Sequence, residues 1–108
     1  MSGFDDREKA EEAKYAHDEA LKFKVEARRN KLLGQWAAEQ LGLSAASEVE
    51  AYAKEVIASD FEEAGDEDVF RKVTADFAEK SVAVSEADLR AKMKALYVVA
   101  DEQVKNEG

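Results

Sequence analysis

Few residues in this 108-residue chain have the type and spacing needed for chemistry. There is one histidine, His17, set among charged residues, and there is no cysteine. Thiolate catalysis, disulfides and cysteine-based zinc sites are therefore excluded. Without a second histidine or a Glu-x-x-His pair, the di-metal carboxylate centres found in some helical bundles cannot be built in their usual form. Serine and threonine never fall near a histidine at nucleophile-like spacing, and no glycine-rich phosphate loop is present.

Two charged clusters remain. The acidic run Asp60, Glu62, Glu63, Asp66, Glu67 and Asp68 surrounds Gly65. A calcium-loop frame starting at Asp60 puts Gly65 at the sixth position. It also puts Ala64 at the fifth and Arg71 at the twelfth, where a bidentate glutamate is required, so the match fails. Acidic residues favouring the N-terminus of the next helix account for the run better. The second cluster is basic: Lys22, Lys24, Arg28, Arg29 and Lys31. One reading pairs these residues with carboxylates on adjacent helices. The other makes Arg28, Arg29 and Lys31 an anion or phosphate site, with Trp36 as a stacking partner for a base. Periodicity assigns Trp36 to the core.

The elements that must position these residues are all helical. Proline is absent, 45% of residues are apolar and 38% are charged, a composition suited to helices joined by short turns. Apolar residues Leu21, Val25, Leu32, Leu33, Trp36, Ala37 and Leu41 form the stripe of a long first helix ending at Gly42, a left-handed cap. Helix-forming residues extend upstream to Asp5. Gly34, inside that helix, costs about 1 kcal/mol relative to alanine. It marks either close approach of a neighbouring helix or a tolerated defect.

Ser47 with Glu50 reads as a capping box before Val49, Tyr52, Ala53, Val56, Ile57 and Phe61, a helix expected to stop at Gly65. Asp66 is placed to cap a third helix with the stripe Val69, Phe70, Val73 and Phe77. Ser85 with Asp88 opens a fourth, carrying Leu89, Met93, Leu96, Tyr97, Ala100 and Val104. Loops at 43–46, 65–66 and 83–85 make sequential helices antiparallel. The expected fold is an all-α four-helix bundle over residues 20–108.

Residues 1–19 are the part such a bundle does not need. Phe4 and Tyr15 are their only large apolar residues, too few to offset an ordering cost of about 1–2 kcal/mol per residue. The segment is expected to fray when free and to become helical on a surface, with Asp5–Lys9 and Asp18–Lys22 as supporting pairs. A tail without a role is the alternative.

A net charge of −9 opposes nonspecific binding to nucleic acid or anionic membranes. No run is apolar enough to cross a bilayer, and the N-terminus lacks an export signal. A protein is the expected partner, with a small molecule as second choice. The free chain is expected to be monomeric.

The run Phe4-Asp5-Asp6-Arg7-Glu8-Lys9, then Lys14-Tyr15-Ala16-His17-Asp18-Glu19 and Ala27-Arg28-Arg29-Asn30-Lys31-Leu32-Leu33-Gly34, resembles the alphaproteobacterial zeta subunit family. These are small inhibitors of the F1 part of the F1Fo-ATP synthase. The similarity continues through Trp36-Ala37-Ala38, Tyr52-Ala53-Lys54-Glu55-Val56 and Asp60-Phe61-Glu62-Glu63-Ala64-Gly65. The resemblance implies a bundle with a mobile inhibitory N-terminal segment that enters a catalytic αβ interface of F1 against the gamma subunit and blocks ATP hydrolysis.

In that setting Phe4 and Tyr15 would be apolar anchors, and Arg7, Lys9 and Lys14 would reach carboxylates, alongside Asp5 and Glu11. The resemblance implies a bacterial cytoplasmic protein, peripheral to the membrane only through F1. It also implies no required cofactor, but a possible ADP or ATP ligand on the bundle. An adenine-nucleotide sensor with little inhibitory activity is the alternative function. One departure stands out: where the family usually has an aromatic residue, this chain has Glu11, on the same helical face as Phe4 and Tyr15.

Overall fold

A computed structural model describes the backbone of residues 3–60 and 66–107, and side chains from residue 20 onward within those stretches. Four helices and no strand occur among the described residues: α1 (Gly3–Gln40), α2 (Ala46–Ser59), α3 (Glu67–Glu79) and α4 (Glu86–Glu107). The all-α helical bundle expected from the apolar spacing is what forms.

Helix α1 spans 38 residues and is the axis of the fold, packing against all three others. Contacts set the register. Asn30 meets Asp60 while Gly34 meets Ala53, so α1 and α2 run antiparallel. Arg28 reaches Gln103 and Glu107 while Lys92 lies 5.5 Å from the Trp36 ring, so α1 and α4 are antiparallel too. Helix α3 packs on both α2 and α4, whereas the backbones of α2 and α4 do not approach each other closely.

The main core joins Leu33 and Ala37 of α1, Tyr52 and Val56 of α2, Val69, Val73 and Phe77 of α3, and Leu89 and Met93 of α4. Trp36 is partly buried against it, edge-on to Phe77 at 5.8 Å between ring centroids. The periodic stripes thus mark the packed faces. Tyr97 is the exception, 37% exposed on the wall of a cleft of about 520 Å³ that it shares with Arg29, Asp66 and Arg90.

Gly34 answers one of the two readings given for it. A Cβ there would sit 2.6 Å from Ala53 Cα and 3.0 Å from its Cβ, so the missing side chain is what lets α2 approach. Gly42 adopts φ +83°, and Leu43 N–H donates to the Ala38 carbonyl at 2.9 Å, the bonding of a left-handed helix cap. The same closure recurs after α3 without glycine: Ser81 takes φ 57° and Val82 N–H donates to the Phe77 carbonyl at 2.8 Å.

Three sequence expectations about helix ends need correction. Helix α2 starts at Ala46 with Ala45 as cap and no side-chain capping bond, so Ser47 lies inside the helix and the Ser47–Glu50 box does not form. The same helix ends at Ser59, well before Gly65; Asp60 caps it, its N–H donating to the Ile57 carbonyl at 3.3 Å while its carboxylate accepts from Asn30. Phe61 and Gly65 lie outside the described residues. Asp66 does occupy the cap of α3 but makes no capping bond, because its carboxylate accepts from Arg29. The Ser85 cap holds: its Oγ accepts from Asp88 N–H at 3.1 Å.

Candidate functional site

Helix α1 extends upstream of its described contacts. Asn30 faces Asp60, one residue past the end of α2, and Ile57 of α2 lines the same furrow as Lys24, Ala27 and Lys31. On the other side, Leu21, Val25 and Leu32 pack with Ala100 and Val104 in a small second apolar cluster, one turn from the end of α4. The α1 helix continues upstream of Leu21 to Gly3. The arm residues Phe4, Asp5, Arg7, Lys9, Glu11, Lys14 and Tyr15, and also His17, have side chains outside the described residues.

Where α1 leaves the bundle it is cationic, and the basic cluster divides into two uses. Arg28 is tied to α4, donating to Gln103 Oε1 at 2.9 Å and pairing with Glu107. Arg29 points inward, with a side chain only 1% exposed. A buried guanidinium persists only when its donors are met. Its Nε donates to Asn30 Oδ1 at 2.7 Å and its Nη2 to Asp66 Oδ1 at 2.9 Å. Asn30 then donates to Asp60 Oδ2 at 3.0 Å. Two neighbours on α1 thereby hold both ends of the α2–α3 connection.

Burial pushes the Asp60 carboxyl up. The Asn30 hydrogen bond and the Arg29 charge pull it back, and Asp66 and Asp68 add to the rise. Asp68 is itself buried and pairs with Arg71. Nearby, Arg90 stacks 3.8 Å over the Phe70 ring while its guanidinium grips both carboxylate oxygens of Glu67. On α3, Asp76 accepts from the Tyr52 hydroxyl at 2.8 Å and from Lys72 at 3.0 Å. Burial first, then that acidic partner, raises the Tyr52 phenol well above its ordinary value.

The pairing reading therefore describes Arg28 and Arg29, whereas Lys22, Lys24 and Lys31 are exposed. Of the four residues considered for a nucleotide, Arg28 and Lys31 line one furrow, whereas Arg29 faces the α2–α3 connection and Trp36 packs on Phe77. The buried Arg29–Asn30 pair was missed as a structural clamp. Its only trace in sequence is that periodicity places these polar residues beside Leu33 on the packed side of α1. No group of acidic or histidine residues suited to a metal occurs among the described residues.

The architecture is an all-helical bundle organised on one long helix, α1, with a cationic stretch from Lys22 to Lys31. The chain belongs to the ATPase inhibitor subunit zeta family, whose model matches residues 1–103. It is therefore a member of a family of ATPase inhibitors. A solved protein described as a solution NMR structure is 52% identical; the match covers 82% of this chain and 99% of that one, with a TM-score of 0.72. No curated protein matches the chain. Among the described residues, no helix is long and apolar enough to cross a membrane.

Proposed function

We propose that the chain is a regulatory inhibitor of the F1 sector of ATP synthase, in which residues 1–19 insert at a catalytic αβ interface, against the gamma subunit, and block ATP hydrolysis. The observation that supports this most is the length of α1, which continues to Gly3, well upstream of its described contacts with Ile57 and the Leu21–Val104 cluster. A helix that runs past its described contacts has a face to offer another protein. The inhibitor family provides the class of target. A segment ordered on binding gives up affinity but can enter a cleft and be withdrawn.

Glu11 sets the expected strength. A phenylalanine buried there would contribute about 1.5–3 kcal/mol, and an unpaired carboxylate opposes burial. Inhibition by this chain is accordingly weaker than by its Glu11→Phe variant. The test measures ATP hydrolysis by homologous F1 with the full chain, with residues 20–108 alone, and with Glu11→Phe. Loss of inhibition without residues 1–19 and a gain with phenylalanine are expected. Equal inhibition by residues 20–108 refutes the mechanism, and equal potency of Glu11→Phe refutes the account of the arm.

A further inference from the structure

A second surface lies just below the point where α1 leaves its partners. There α1 crosses between the last turn of α2 and the last turn of α4, leaving a furrow of about 440 Å³. Ala27, Ile57 and Val104 give it an apolar part, and Lys24 and Lys31 line it beside them. Arg28 also lines it, but Glu107 and Gln103 already engage that guanidinium. Among the described residues, neither Lys24 nor Lys31 has a carboxylate partner. One helical turn upstream of Ala27 is Phe23, 68% exposed.

A phenylalanine so exposed, next to those apolar residues, enlarges a patch that binding would cover. Charge narrows the occupant. The chain carries −9 overall, so an acidic partner is repelled at long range. Screening over about 8 Å at physiological salt lets the local lysines decide at contact. From residue 20 to 31, α1 carries five cations against the single acid Glu26.

We propose that this furrow and Phe23 form a second contact, receiving an acidic, amphipathic helix on the outer surface of the protein that the arm enters. The proposal rests on the inhibitory reading for the identity of that protein. The occupant's apolar residues cover Phe23, Ala27 and Ile57, and its carboxylates meet Lys24 and Lys31. Position supports this occupant: the furrow sits on the same helix as the arm, immediately behind it. Whatever surface borders the cleft entered by the arm therefore passes over residues 23–31. A nucleotide fits less well, because no aromatic ring walls the furrow and Trp36 is packed on Phe77.

The experiment measures affinity for purified F1 by biolayer interferometry, at low and physiological salt, alongside ATPase inhibition. The full chain is compared with Phe23→Ala, Lys24→Glu/Lys31→Glu, and the exposed control Lys80→Glu; thermal unfolding confirms that each is folded. Truncating a central apolar anchor and reversing facing charges should each weaken binding about tenfold or more. The charge variant should also lose the salt dependence, with Lys80→Glu unchanged. Wild-type affinity in both furrow variants overturns the proposal. So does retention of F1 affinity by Phe23→Ala while ADP shifts backbone amides at Lys24 and Lys31, which marks a phosphate site. Binding to F1 without inhibition refutes the inhibitory reading alone, since the furrow is then scored by affinity. Absence of any binding refutes both.

Discussion

Replacing Gly34 by alanine sets two effects of opposite sign against each other, and the geometry decides between them. In a solvent-exposed helix the change would gain about 1 kcal/mol of helix propensity. Here the new methyl would lie 2.6 Å from the Cα of Ala53. That neighbour is backbone in the middle of α2, so a rotamer change cannot relieve the overlap; α1 and α2 must separate. Overpacking of this kind costs typically about 1–3 kcal/mol, and a backbone obstacle places it at the upper end. The net is a loss of about 2 kcal/mol. For a domain of this size that lowers Tm by about 10 °C.

Thermal unfolding followed by far-UV circular dichroism measures it. Ala53→Gly in the Gly34→Ala background should recover only part of the loss, because the obstacle is Cα more than Cβ. A Tm equal to or above that of the parent would falsify the close-approach argument and leave Gly34 as a tolerated defect.

Other substitutions test the remaining features. Arg29→Ala strips the buried donor from Asn30 and Asp66 and should cost about 3 kcal/mol in urea unfolding, far more than Lys31→Ala on the exposed face. Ser85→Ala should lose about 1 kcal/mol with its capping bond, whereas Ser47→Ala, inside α2, should be neutral or slightly stabilising. Asp60 has its folded pKa above the unfolded 3.8, so the folded state holds the proton more tightly. Its contribution is therefore present at low pH and lost as pH rises from about 4 through the folded pKa. Asp60→Asn should then be the more stable protein at neutral pH, with the advantage shrinking as pH falls through the folded pKa toward about 4; an advantage that grows on acidification would contradict the burial of that carboxyl.

The stripes that bury apolar area were legible because helical periodicity survives any detail of packing. Val69, Phe70, Val73 and Phe77 all lie in the core, as do Leu89 and Met93. Helix ends were harder to read, since a cap depends on what else competes for the side chain. Asp66 had the right type and place, yet Arg29 takes its carboxylate. Ser47 and Glu50 matched a capping pattern that the chain passes over by starting α2 at Ala46.

The basic cluster was legible as charge but not as two populations. Nothing in the adjacent pair Arg28 and Arg29 says that one turns outward to α4 and the other inward to the α2–α3 connection. That division follows from helix rotation against partners distant in sequence. Gly34 lay between these cases: the glycine was visible, but the helix it admits was not.

In the proposed insertion, the places where the bundle grips α1, the Asn30–Asp60 bond and the Leu21–Val104 cluster, would act as a depth gauge. From Gly3 to Ala20 the helix is about 27 Å long at 1.5 Å per residue. Beyond that reach, any cleft wide enough for a single helix meets the shoulders of the bundle. Travel into a target would then be fixed by where the bundle first grips α1, and adding one turn to α1 upstream of Leu21 would lengthen the stroke without altering the bundle.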